Sequence, residues 1–143
     1  MACTGIQFCK LAFVDTKDTA TSTIAELEHR LRDVKLELPI TLNLNGCPNS
    51  CARIQTADIG LKGQILTGAD GEPEFGFQVH LGGGLATSER EEAGLGRTVR
   101  GLKVSADELP AYVERVVRSY VGTREVDETF SAWAKRSDDE AVK

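Results

Sequence analysis

All four cysteines of this chain fall in two short groups: Cys3 and Cys9, spaced C-x5-C, and Cys47 and Cys51, spaced C-x3-C. Thiolate sulfur is a soft metal ligand, so four cysteines in two loops point to a metal cage, with disulfides or inert thiols as the plainer readings. Structural zinc favours tighter knuckles, often with His, whereas iron–sulfur clusters take four cysteines at varied spacings. Around the second pair, Asn45-Gly46-Cys47-Pro48-Asn49-Ser50-Cys51-Ala52-Arg53 reads as a strand turned by Gly46 into a helix that starts near Pro48. Cys47 is then the N-cap and Cys51 lies one turn on, with both sulfurs on one face and the positive end of the helix dipole favouring thiolate. Thr4-Gly5 gives the first pair its own turn. With no leader ahead of Cys3 and the composition of a cytoplasmic protein, disulfides are the weaker expectation. The spacing leads to iron–sulfur and leaves zinc, disulfides and inert thiols open.

The elements that must position these loops can be read from periodicity. Thr23 with Glu26 fits a capping box, and Ile24, Leu27, Leu31 and Val34 recur at helical spacing, so a helix is expected over Thr23 to Val34, with His29 solvated off the stripe. Ile40, Leu42 and Leu44 alternate with Thr41, Asn43 and Asn45, a strand with one buried face that delivers the second cysteine pair. Ala57 to Leu66 and Phe75 to Leu81 read as two more strands, joined as a hairpin through the breaker-rich turn Thr67 to Pro73.

Gly82-Gly83-Gly84 closes that hairpin, and three glycines in a row suggest backbone held close to a bulky ligand. No G-x-x-x-x-G-K-S/T pattern supports a phosphate loop. Residues 85 to 103 read as a polar loop holding Arg97, Arg100 and Lys103. These three, and Arg53 beside Cys51, are candidates to grip carboxylates or an electron donor. Asn49 is a candidate hydrogen-bond donor to the same centre. Ser105 and Glu108 form a second capping box ahead of Pro110. Leu109, Tyr112, Val113, Val116, Val117 and Tyr120 make the best amphipathic stripe, with Gly122 as its stop. A short helix is expected over Glu125 to Lys135, and a frayed acidic tail over 137–143. The fold class is thus α/β (α+β): a small mixed or antiparallel sheet with helices packed on one face, and the metal at its other edge.

The bulk numbers restrict function further. At 143 residues, 41% hydrophobic, 27% charged and 6% aromatic, the chain is an ordinary single globular domain. No apolar run approaches the roughly 18 residues of a membrane span. A net charge of -5 argues against nucleic acid as a partner.

Four segments, in order, carry a resemblance: Thr4-Gly5-Ile6-Gln7-Phe8-Cys9-Lys10-Leu11-Ala12, the Asn45 to Arg53 segment above, Asp58-Ile59-Gly60-Leu61-Lys62-Gly63, and Val79-His80-Leu81-Gly82-Gly83-Gly84. Together they resemble the C-terminal cluster-binding signature of the sirohaem-dependent sulfite and nitrite reductases, up to about Glu128. The resemblance implies that Cys3, Cys9, Cys47 and Cys51 hold a 4Fe-4S cluster and that Cys51 also ligates the sirohaem iron. It turns Gly82, Gly83 and Gly84 toward a tetrapyrrole contact, and makes sirohaem the group that the candidates Asn49, Arg53 and Arg97 would contact. It implies six-electron reduction of sulfite to sulfide, or of nitrite to ammonia, with electrons from ferredoxin or a flavoprotein. An assimilatory, ferredoxin-dependent sulfite reductase of the cytoplasm is the expectation, with nitrite reductase second. A non-catalytic iron–sulfur electron-transfer domain or a structural zinc domain is the reading from a different class. Because family members are several times longer, residues 1–136 are expected to be the sirohaem and 4Fe-4S domain of a longer enzyme, with 137–143 as a polar tail. The N-terminal part would supply the basic residues that grip the substrate anion, and the fragment alone is expected to be inactive.

Overall fold

The computed structural model describes residues 1–88, 90, 91 and 93–143. Along the chain come α1 (Thr16–Arg30), β1 (Leu42–Asn45), a 3-10 turn (Ile54–Thr56), β2 (Ile59–Thr67), β3 (Pro73–Leu81), β4 (Arg97–Ser105), α2 (Leu109–Thr123) and α3 (Phe130–Arg136). The four strands lie side by side in sequence order. β1 runs parallel to β2, with Asn43 beside Gly60 and Asn45 beside Lys62. β2 and β3 form the expected hairpin, and β4 adds antiparallel to β3 with a register shift between Gln78 and His80. The sheet is therefore mixed, as the sequence pattern allowed.

Strand alternation sorts the two faces. Ile59, Leu61, Phe77, Val79 and Leu81 point to one side and are fully buried beneath the α2 stripe Leu109, Tyr112, Val113, Val116, Val117 and Tyr120. α3 closes the end of this core with Phe130 and Trp133, whose rings meet that of Tyr120 at centroid distances of 5.3 and 5.6 Å. Asn43, Asn45, Gly60, Lys62, Gln78 and His80 fall on the other side. The helices thus occupy one face and leave the second to the sulfur loops. Among the described residues no helix is long and apolar enough to cross a membrane.

Several boundaries differ from the sequence reading, each for a local reason. α1 begins seven residues earlier than Thr23, because the Asp15 carboxylate caps it by accepting from Asp18 N–H at 3.2 Å. Thr23 is consequently buried in mid-helix, while Ile24, expected on the packed stripe, is 46% exposed. The helix stops at Arg30 and is tied to α2 by charge: Arg30 pairs with Glu114 at 2.9 Å, and Arg118 bridges Glu114 and Asp33. These arginines hold the Glu114 and Asp33 carboxyls below the usual carboxylate range. The Ser105–Glu108 box is present, with Ser105 Oγ 3.0 Å from the Glu108 carboxylate and α2 starting at the next residue. α3 starts at Phe130 rather than Glu125, capped by the Thr129 hydroxyl.

Two corrections are larger. The stretch 85–103 is not all loop, since its last part is β4; positions 89 and 92 of it lie outside the described residues. The tail does not fray: Val142 is fully buried, its carbonyl accepts from the Tyr112 hydroxyl at 3.1 Å, and the Ser119 hydroxyl bonds Ala141 O at 3.2 Å. A chain ending at Ser137 should therefore lose roughly 1.5–3 kcal/mol, the worth of one fully buried Val. Urea unfolding checks this, and an unchanged midpoint would show that the tail contributes nothing.

Candidate metal centre

The two cysteine segments meet through main-chain hydrogen bonds alongside β1. Residues 1–3 run parallel to β1, with Leu44 N–H donating to Met1 O at 2.8 Å and Cys3 N–H to Leu44 O at 2.9 Å. The chain then doubles back around Gly5, whose carbonyl accepts from Cys9 N–H at 2.9 Å. Phe13 N–H closes the circuit on Gly46 O at 2.7 Å, and Gly46 N–H donates to Cys3 Sγ at 3.2 Å. Backbone N–H groups aimed at cysteine sulfurs are a feature of iron–sulfur sites, where they tune the cluster. All four thiols are free. Cys47 is buried, Cys3 and Cys9 are half-buried, and Cys51 is exposed. Among the described residues no three His, Cys, Asp or Glu stand close enough to hold a single metal ion. Four unpaired sulfurs in two strapped loops, one already receiving an N–H, fit a four-iron cluster by donor chemistry, since such a cluster bridges sulfurs that stand farther apart than the ligands of one ion.

The expected helix over Cys47 to Cys51 is absent; the segment is a series of bends, and helical geometry appears only in the 3-10 turn at Ile54. What replaces the helix is a pair of buried carboxamides. Asn45, fully buried, accepts from Ala52 N–H at 2.7 Å through its side-chain oxygen and donates to the carbonyls of Asn49 and Cys47. Asn43 donates to Ala52 O at 2.9 Å. These bonds satisfy loop groups that a helix would have satisfied internally. β1 is accordingly buried on both faces, not on one as its alternation suggested. Two glycines of β2 receive the ends of the loop. A Cβ on Gly63 would stand 2.5 Å from Gly46 C, and one on Gly60 would stand 2.0 Å from Ile54 O.

The remaining candidates divide. Asn49 is exposed, and it is its carbonyl that serves the loop. Arg53 is exposed and holds a left-handed backbone, φ 51°, ψ 46°, which is strained for a residue with a side chain. Among the described residues, hydrogen bonds engage only its main chain. Arg53 lines a cavity of about 340 Å³ together with Leu38, Ile40, Thr56, Leu85 and Phe130. Arg97 sits on β4, and its guanidinium bonds Ala134 O at 3.0 Å, Ser137 O at 2.9 Å and the Asp139 carboxylate, which it holds below the usual range. Gly82, Gly83 and Gly84 are closely packed where a side chain would begin. Protein takes the space their side chains would need: α3 at Ser131 O and Ala134, Gln55 O at 2.2 Å, and the Arg90 guanidinium at 2.4 Å.

Asp58 and Arg90 escaped the sequence reading. Their ion pair, 2.9 Å, is nearly buried, and Asp58 also accepts from the Thr41 N–H and hydroxyl at 2.9 and 2.8 Å. The pair locks the start of β2 to the entry of β1 and to the segment after the glycines. No local pattern announces it, because its partners lie 32 residues apart. His80, expected only as part of a strand, is buried, with Nδ1 3.2 Å from the Thr98 hydroxyl and Nε2 without a partner among the described residues. Burial, then the charge of Lys62, pushes its pKa below 6.5.

Asn45→Ala should cost roughly 1–3 kcal/mol, since it leaves the buried Ala52 N–H without an acceptor. It should also expose Cys47, read as faster alkylation of that thiol in mass spectrometry; unchanged protection would show that Asn45 does not hold the loop. The His80 shift has a sign. Above pH 6.5 the ring is neutral in both states, and as pH falls below that value the unfolded chain takes up the proton first. Stability should therefore decline below about pH 6.5 until the folded ring titrates. His80→Asn should flatten that part of the wild-type stability profile, and identical profiles would rule the effect out.

The profile of the nitrite and sulphite reductase 4Fe-4S domain matches residues 1–136. Over its whole length the chain is 52% identical to sulfite reductase (ferredoxin) 1 of Mycolicibacterium paratuberculosis and 50% identical to sulfite reductase (ferredoxin) of Mycobacterium tuberculosis, and it spans 25% of each. It is 40% identical to the chloroplastic ferredoxin–nitrite reductase of Arabidopsis thaliana over 61% of the chain and 14% of that protein. The structure of the Mycobacterium tuberculosis NirA protein superposes with a TM-score of 0.93 at 50% identity, covering 100% of this chain and 26% of that one. The chain thus spans about a quarter of the relatives it matches, and it belongs to the nitrite and sulphite reductase 4Fe-4S domain family.

Proposed function

We propose that the chain is the 4Fe-4S and sirohaem portion of a ferredoxin-dependent sulfite reductase, acting within a longer enzyme that reduces sulfite to sulfide. The observation that carries this reading is the pair of sulfur loops: four free thiols strapped together by Phe13 N–H on Gly46 O and Gly46 N–H on Cys3 Sγ. Cys3, Cys9, Cys47 and Cys51 are assigned as cluster ligands. Cys51, the exposed member, is assigned the second role of sirohaem ligand, because a sulfur shared between two groups must face outward from the loop. When bound, the cluster and sirohaem supply the electron relay and the iron centre for a six-electron reduction.

The chain's own residues bind and orient. Asn43 and Asn45 fix the path of the Cys47 to Arg53 segment, and the glycine notches of β2 seat its ends. Arg53, whose guanidinium makes no hydrogen bond among the described residues, is offered to the carboxylates that sirohaem bears, and the same charge suits an acidic donor such as ferredoxin. Asn49 stays assigned as a polar contact at the loop's outer edge. Gly82, Gly83 and Gly84 stay assigned as backbone contacts to the tetrapyrrole, and Arg97 as a cofactor contact that also holds the C-terminal segment. Residues 1–136 form the working domain, the substrate anion is gripped by the enzyme's N-terminal part, and four unpaired thiols suit the reducing cytoplasm. Sulfite rather than nitrite is favoured because the sulfite reductases are about half identical over the entire chain, whereas the nitrite reductase match is lower and covers less.

Iron, acid-labile sulfide and the visible spectrum should be measured on the intact enzyme purified without air. Iron and sulfide in equal amounts with a tetrapyrrole absorption are expected, and zinc without sulfide would sink the reading. Arg53→Ala should reduce sirohaem content more than cluster content on the same assays. Equal loss of both would remove Arg53 from its assigned role.

A further inference from the structure

Thr16, the first residue of α1, is completely buried yet polar. Its hydroxyl donates to Cys3 O at 2.9 Å, and the same oxygen stands 3.6 Å from Cys3 Sγ. Its Oγ1 lies 2.7 Å from where a Cβ on Gly5 would be, and its methyl 3.3 Å from the corresponding point on Gly46. One side chain therefore touches both sulfur loops. Packing alone does not call for it, because Val has the same shape and no hydroxyl to desolvate.

The hydroxyl's neighbours supply the reason. As a free thiol, Cys3 can donate its S–H to Thr16 Oγ1 while Thr16 donates to the Cys3 carbonyl. As a metal-bound thiolate it has no proton to give, so the single Thr16 proton lies between two acceptors of one residue, the carbonyl and the sulfur. Gly46 N–H already donates to that sulfur from another direction, at 3.2 Å. Resting on the assignment of Cys3 as a cluster ligand, we infer that Thr16 is a positioning residue whose hydroxyl, with Gly46 N–H, sets the reduction potential of the cluster through the Cys3 sulfur. The sign follows from charge. An added electron increases negative charge on the sulfurs, a donor bond strengthens with that charge, and the reduced form is favoured. Removing the hydroxyl should lower the potential.

The test is a redox titration of the cluster, followed by EPR, in the intact holoenzyme with Thr16→Val, Thr16→Ala and Thr16→Ser, with iron and sulfide counted on each sample. Thr16→Ser should keep the wild-type potential, whereas Thr16→Val and Thr16→Ala should both shift to more negative values. The Ser and Ala variants both lose the methyl and differ only in the hydroxyl, so their comparison stands even if Val disturbs the fold. Full cluster in Ser with cluster loss in Val and Ala also supports the hydroxyl. Equal potentials in Ser and Ala, or cluster loss in all three variants, overturns the inference while leaving the cysteine assignment intact. A wild-type enzyme without iron and sulfide overturns the assignment itself, and this inference with it.

Discussion

A buried carboxamide governs the architecture around the cysteines. The segment from Gly46 to Arg53 makes neither a helix nor a ladder, so its peptide groups need partners from elsewhere, and a buried peptide group without one costs about 1–3 kcal/mol. Asn45 provides three such contacts from a single side chain, and Asn43 adds another. Because both project from β1, the loop inherits the rigidity of the sheet. The parallel pairing of β1 with β2 then fixes where the loop lies, and the helices need only cover the opposite face.

Much of this was legible in the sequence, and the failures share a cause. The hairpin, the α2 stripe and the Ser105–Glu108 box were readable because alternation, helical spacing and capping are local and repeat. The helix assigned to Cys47–Cys51 was not borne out, because Gly-x-Pro after a strand suits a helix start and nothing nearby shows that Asn43 and Asn45 will satisfy the loop from the side. α1 was placed too late because Thr23–Glu26 fits a capping box locally, whereas in the structure Asp15 caps the helix and Thr16 packs between the sulfur loops. The four cysteines needed no such context: their types and spacing, with the flanking residues, pointed to the family that the comparison bears out.

Positive charge is distributed differently from what composition suggested. Arg97 and Arg90, both in the stretch read as a loop, work inward. Arg97 anchors the C-terminal segment through three partners, and Arg90 neutralises Asp58 at the junction of β1 and β2. Breaking such a nearly buried pair by removing one partner is far costlier than losing a surface bridge. Arg53, beside the cysteines, makes no side-chain hydrogen bond among the described residues, and its backbone is held in the left-handed region.

The notches in β2 carry a consequence for anyone who would transplant these cysteines into another scaffold. Gly60 and Gly63 have no room for even a methyl group against Ile54 and Gly46, so the loop and its neighbouring strand form one indivisible cassette. Copying Asn45 to Arg53 alone onto a host sheet would collide with whatever side chains the adjoining strand carries. The smallest portable unit is two parallel strands with glycine at both crossing points, and its design would have to begin from that adjoining strand rather than from the sulfur ligands.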